Sequence, residues 1–448
     1  MIDGKKIDGA QVDRARIDRQ RIDRVNSSPA QRASPWIESV AQWLNPRRLR
    51  AQVVVLALCL WGVCAVDFAT PGFFDRAGNI KFQDFLPLYV SARLIVEGRA
   101  NTLYGQQATA DAMQAVVGQP TRVLLPNLYG PQVGFFFVPL ARLSFPTAAR
   151  IWVTASLLVF AGCVYLVWKS CPALRLHSGF VALSAIAFPP LFHFFVRAQT
   201  SALALACFTA AYLAFRADRR RWAGIALGCL IFKPQFLVAI PLVLLLSRCW
   251  TTLAGLLVAA GAQLGFARIY FGPAVMHSYF DTLGHMSRVI ATSELGFAPI
   301  QMHSLRSFFS LLIPWPEVAL GFYALSCMVI LGMAAAVWKS AAPLALRFSA
   351  LTLAAVLINP HLFVYDLLVL APVLLLLANW ILTNASQPSS AVLHVLTYLA
   401  FVLPLFGPLS RWTHLQFSVP AFTALLWVLW RHSVTGSHKL ASNEFGDV

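Results

Sequence analysis

"NPRRLRAQVVVLALCLWGVCAVDFAT", residues 45–70, joins a basic hexapeptide to an apolar run that closes on Asp67. The run is about 20 residues long, the length that crosses a bilayer as a helix. Similar runs recur along the chain, which is 58% hydrophobic and only 12% charged. Soluble domains hold about 45–50% apolar and 25% charged residues. The chain therefore reads as an all-α, polytopic integral membrane protein. The arginines before the first run place the N-terminus in the cytoplasm.

The formal net charge is +17. In a soluble protein that excess would point to nucleic acid. Here it sits largely at the N-terminus and in short loops, where cytoplasmic retention and anionic headgroups account for it. Membrane lipids are the expected partners, and nucleic acid is not. The eight cysteines are scattered singly, and no CxxC or Cys/His spacing appears. Neither disulfides nor a metal site is indicated, and no cofactor is expected.

Before the first run, residues 1–50 form a polar, basic tail with a pentad repeat: Ile2-Asp3, Ile7-Asp8, Val12-Asp13, Ile17-Asp18, Ile22-Asp23. A period of five fits neither helix nor strand, so the tail reads as low-complexity and disordered. It lacks the apolar core of a signal peptide. A second topology marker, "RADRRR" at 216–221, follows runs at about 178–196 and 199–216 and also belongs in the cytoplasm. With both markers inside, two long outer loops are expected, 71–130 and 272–315. The first holds helices at about 82–97 and 106–117. The stretch 131–168 begins with a piece too short to span, punctuated by Pro139 and Pro146, so the parity of crossings stays open there. Further runs lie at about 251–270, 317–338, 342–358, up to 379, 391–407 and 414–431, giving about 11–13 membrane segments. Residues 51–380 read as one membrane module, 381–432 as C-terminal transmembrane helices and 433–448 as a polar tail.

Two interruptions stand out. Lys233, Pro234 and Gln235 split a pair of half-length apolar pieces, 222–232 and 234–247, and "NPHLFVYDL" at 359–367 breaks a later run. Freed backbone groups at such breaks can line a cavity. With the topology above, Asp84, Tyr129, Gln199, Lys233, the Gln301–Arg306 loop and His361 all reach the outer half of the membrane.

Asp84 lies in "NIKFQDFLPLYVSARLIVEG", Asn79–Gly98, just before an amphipathic helix carrying Tyr89, Ala92 and Arg93 at helical spacing. A carboxylate there suits a general base that meets an acceptor from water and a donor from lipid. The plain alternative is a solvated Asp on an interfacial helix. Asp67 is the competing carboxylate, with an interfacial stop residue as its own plain reading.

The segments "DFLPLYVSARLIVEGRANTLY", "YGPQVGFFFVPLARL", "PPLFHFFVRAQTSALAL", "KPQFLVAIPLVLL", "QMHSLRSFF" and "NPHLFVYDLLVLAPVLLLL", taken in order, resemble glycosyltransferase family 87 of the GT-C superfamily over roughly residues 80–380. The departures are "YGP" where the family tends to Tyr-Pro-Pro, and Ala198-Gln199 where Gly-Gln is usual. The resemblance implies a GT-C membrane enzyme of the cell envelope with a polyprenyl-phosphate-sugar donor. Characterised members include mannosyltransferases. It further implies hexosyl or pentosyl transfer to a lipid- or glycan-linked hydroxyl, at the extracytoplasmic face of the cytoplasmic (inner) membrane, with inversion and without a required metal. Asp84 stands where the family's first outer loop carries its Asp.

Lys233 is then a cation for the donor phosphate or a snorkelling lysine. A charge at mid-membrane costs roughly 2.5–3.5 kcal/mol, so it needs a partner or a wet cavity. His361 is a hydrogen-bond donor that binds phosphate or relays a proton, or a structural histidine, with Asp366 as its structural partner or an interhelical acceptor. Gln199 and Tyr129 are sugar or phosphate contacts, and Tyr89 joins them as a substrate-binding candidate. His303 and Arg306 form a lid in the second outer loop or lie solvated there. Two rivals remain. One is a transporter or flippase, which broken helices also fit but which would favour inverted repeats. The other is a glycan ligase using diphosphate donors, which would want more outer-face arginines.

Overall fold

The computed structural model describes residues 34–118, 127–292 and 301–444, with the side chains of 286–292, 388 and 435–444 not described. The described residues are mainly helical, and extended pairing among them is confined to two isolated bridges, Phe74 to Ile80 and Met302 to Phe363. Among the described residues, six helices are long and apolar enough to cross a membrane, including Pro46–Phe68 (α1), Phe145–Lys169, Trp250–His285 and Pro316–Lys339. A seventh span is a pair bent by 47°, Pro172–Ile186 with Pro189–Arg197. The bend falls at Pro189-Pro190, where two residues cannot donate to a continuing helix.

The remaining apolar pieces are shorter helices: Ser201–Arg216 (α2), Pro234–Leu246 and Leu344–Leu357 (α3). In α3 nearly every side chain from Leu346 onward is buried. Of these, α2 and α3 are largely enclosed by neighbouring helices, whereas Pro234–Leu246 keeps Leu242, Leu245 and Leu246 exposed. Enclosure is what lets a half-length helix end inside the bundle, because neighbouring protein can meet the free backbone groups at its termini.

Several helices begin on proline, including Pro46, Pro131, Pro189 and Pro316, where its fixed φ and missing N–H suit the first turn. Asn45 caps α1 by accepting from the Arg48 N–H at 3.1 Å. The two loop helices expected at about 82–97 and 106–117 are Leu86–Val96 and Gln106–Val117. The 131–168 stretch resolves into short helices Pro131–Phe136 and Val138–Ala141, followed by the full span Phe145–Lys169.

Two expectations change. Residues 1–33 lie outside the described residues, but Pro35–Trp43 inside the presumed disordered tail is a helix, with Trp36 64% and Trp43 50% exposed. Its apolar side, Pro at the start and Glu38 in the first turn support helix where the pentad repeat does not reach. Much of the expected loop 272–315 is also helical. The helix that starts at Trp250 runs to Thr292 through a break at Gly272, whose φ of 85° and ψ of 170° only glycine adopts readily. Further along, Leu305–Leu312 forms another helix under a Ser304/Ser307 capping box.

Candidate active site

Asp84 is positioned from both sides along the chain. Upstream, Asp75 Oδ1 accepts from the backbone N–H groups of Ala77 and Asn79 at 2.9 and 2.8 Å and closes a tight loop. Lys81 Nζ then donates to the carbonyls of Phe68 (3.2 Å) and Thr70, so the returning loop is tied to the end of α1. Phe82 takes a left-handed φ of 59°, turning the chain into the short 3-10 helix Gln83–Phe85. Downstream, Phe85 is fully buried and stacks on Trp152 and Phe145. A polar loop residue is thus fixed by a buried aromatic immediately after it.

The Asp84 carboxylate, 13% exposed, faces the segment between the Pro189–Arg197 helix and α2. Gln199 Nε2 donates to Asp84 Oδ2 at 2.7 Å, and Arg197 Nη1 lies 3.8 Å from Asp84 Oδ1. Tyr129 Oη donates to Gln199 Oε1 at 3.1 Å and lies 3.1 Å from Thr200 Oγ1. One residue further, Ser201 Oγ donates to Asp366 Oδ1 at 2.8 Å and accepts from Lys233 Nζ at 3.1 Å, and Lys233 pairs directly with Asp366. The ammonium also sits 5.5 Å from the centre of the Tyr365 ring. Arg197-Ala198-Gln199-Thr200-Ser201 is therefore the hub joining the Asp84 and Lys233–Asp366 clusters. Ala198 makes its turn possible with a φ of 54°, and Trp152 Nε1 donates to its carbonyl at 3.0 Å.

Burial pushes the Asp84 carboxyl above the usual carboxylate range, while the Arg197 charge and the Gln199 hydrogen bond pull it back down. His361 lies in the break between α3 and the helical segment from Val364, and its imidazole is lowered to about 4, first by burial. It is neutral near pH 7, so it can donate or accept but not supply charge. Its Nδ1 and the Asn359 Nδ2 are buried without partners, while the His361 N–H donates to Asn359 Oδ1 at 2.9 Å. Among the described residues Arg306 has no carboxylate partner, and its charge is close enough to lower the imidazole of His361.

The structure thus brings Asp84, Gln199, Tyr129 and Lys233 into one connected network. It turns others elsewhere. The Tyr89 hydroxyl donates to the Leu143 carbonyl at 2.6 Å, and His303 is buried against Ser418 Oγ at 2.7 Å, with its N–H on the Leu362 carbonyl. Asp366 pairs with Lys233 and Ser201 rather than with His361. Arg197, Thr200 and Ser201 are network members that were not singled out in the sequence. The signal was present as five consecutive small or polar residues between two apolar helices. Among the described residues, no three His, Cys, Asp or Glu side chains gather as a metal site.

A half-buried carboxylate, tied by hydrogen bonds to broken helices inside a polytopic bundle, makes a polar cluster within an otherwise apolar membrane protein. The glycosyltransferase family 87 profile matches residues 127–364, more than half of the chain. The chain belongs to glycosyltransferase family 87 and is a membrane glycosyltransferase. No curated protein and no solved structure matches it.

Proposed function

We propose that this glycosyltransferase moves a sugar from a polyprenyl-phosphate donor to a lipid- or glycan-linked hydroxyl at the extracytoplasmic face, with Asp84 as general base. The observation that carries the reading is the Asp84 carboxylate itself, partly exposed yet held in place by Arg197 and Gln199. One oxygen is engaged by Gln199, and the pairing with Arg197 is loose at 3.8 Å. That leaves lone pairs free for an incoming hydroxyl.

In the step proposed, Asp84 takes the acceptor's proton as its oxygen attacks the anomeric carbon. The bond from that carbon to the phosphate oxygen breaks, and polyprenyl phosphate leaves with the electron pair, inverting the centre. Such a base contributes about 10²–10⁴-fold. The leaving phosphate needs positive charge and donors. Arg306 supplies the charge, because it is not neutralised within the described residues. His361 adds a neutral donor, and Tyr129 with Gln199 orients the sugar. Lys233 is already paired with Asp366, so its charge holds the hub together more than it meets the donor. Tyr89 and His303 are packing positions in this reading.

The test is transfer from a polyprenyl-phosphate sugar in nanodiscs, with thermal stability measured in parallel. Asp84→Asn should fold, bind donor and lose transfer by about 10²–10⁴-fold. Asp67→Asn should be close to wild type. Normal turnover by Asp84→Asn would remove it as the base.

A further inference from the structure

A second site lies away from Asp84. A cavity of about 550 Å³ opens between α1, the Ser178–Ile186 helix, Ala371–Thr383 and Pro388–Val402. Its walls are apolar, with Leu56, Val181 and Leu375 typical. Its floor is the stacked pair Phe188 and Phe401, with ring centres 5.6 Å apart. Beyond that floor, Phe195 packs on Phe68 and Phe82, the residues that surround the Asp84 loop. Arg50 lines the cavity, and Phe68 lies about 27 Å further along the same helix at 1.5 Å per residue. The cavity therefore occupies the opposite end of the bundle from the candidate active site.

The mouth is polar and basic. Arg50 and His177 line it, and the exposed Arg47 and Arg48 stand one turn away. Among the described residues no carboxylate pairs with Arg50. Beside it runs the Pro35–Trp43 helix with its exposed tryptophans, a composition that rests at the headgroup level. Two wall atoms, Gln52 Oε1 and Thr397 Oγ1, are buried without hydrogen-bond partners. A volume of this size falls within the range of about 300–1,000 Å³ for small-molecule pockets. An apolar chamber between membrane helices is filled favourably by hydrocarbon and poorly by water.

We propose that this cavity binds an acyl chain of an anionic glycerophospholipid, with the phosphate at Arg50 and the tail running to the Phe188–Phe401 floor. Charge complementarity at headgroup depth selects the anionic class, and the apolar walls take the chain.

Native mass spectrometry of the full-length protein, released from nanodiscs of dioleoyl phosphatidylglycerol or dioleoyl phosphatidylcholine, tests it. The wild type should retain one phosphatidylglycerol after detergent washing and little phosphatidylcholine. Arg50→Gln should weaken that retention about fivefold, since one arginine near a surface contributes about 1 kcal/mol. Ala378→Trp, which fills the chamber, should abolish it. If Ala378→Trp does not fold, Ser184→Phe on another wall serves the same purpose. Equal retention of the two lipids, no retained lipid, or full retention in both Arg50→Gln and a filled variant would overturn the proposal.

Discussion

Asp84 and Lys233 show how neighbouring charges in one network take different roles. Asp84 keeps free lone pairs, while Lys233 and Asp366, 3% and 2% exposed, neutralise each other in the interior. Breaking such a pair leaves one buried charge alone and costs about 3–5 kcal/mol, whereas removing both charges with apolar residues is often tolerated. Lys233→Ala and Asp366→Ala should therefore each lower thermal stability by about that amount, and Lys233→Met with Asp366→Leu should recover most of it in an unfolding assay. A double variant as unstable as the singles would mean the pair does more than neutralise itself. The acid limb of the pH profile offers a second check. As the proposed base, Asp84 would have to be ionised to take a proton, so activity should fall as pH drops through its pKa, and burial places that limb above the ordinary carboxylate range. Arg197 lowers the Asp84 pKa, so Arg197→Gln should move the limb to higher pH. An unmoved limb in a folded, active Arg197→Gln enzyme would separate the limb from Asp84.

At the scale of elements, the tightest contact is between the Arg220–Gly228 helix and the helix beginning at Trp250. A β-carbon built on Gly224 would stand 1.9 Å from the Thr252 carbonyl oxygen, and one on Gly228 would stand 2.3 Å from the Leu256 carbonyl. The reciprocal Gly255 would meet the Arg221 carbonyl at 2.4 Å. Small residues four apart let two membrane helices touch backbone to backbone. This pairing holds the first half of the Lys233 break in place. Gly224→Ala should force the helices apart, costing about 1–3 kcal/mol, and should lower the melting temperature in detergent. Gly261→Ala, with nothing within 4 Å of its added carbon, should not. Similar melting of both variants would show that the contact is slack.

Across the whole molecule, the proposed reaction requires Asp84 and the "RADRRR" loop to face opposite sides of the membrane. In a variant with the eight native cysteines replaced, a cysteine at exposed Gln107 should react with an impermeant maleimide in intact cells. A cysteine at exposed Arg220 should react only after lysis. The reverse pattern would place the reaction on the cytoplasmic side and remove the extracytoplasmic donor and acceptor from consideration.

The helical membrane class followed from runs of apolar residues long enough to cross a bilayer, since lipid leaves the backbone no partner but itself. Lys233 could be picked out because a charge at a break between apolar pieces is costly and so conspicuous, and Asp84 because a carboxylate precedes an amphipathic helix where the family's first outer loop carries its Asp. What composition could not give was the partner of each. Asp366 lies 133 residues from Lys233 and Gln199 lies 115 from Asp84, and only packing decides which of many such residues meet. Tyr89 and His303 had the same chemistry as the network members, yet tertiary contacts turned them to Leu143 and Ser418. The sequence thus determined a helical membrane protein with polar residues at its breaks. Only the tertiary structure decided that Arg197–Ser201 is their junction, because hydrogen bonds reach about 3 Å and depend on how separate helices cross.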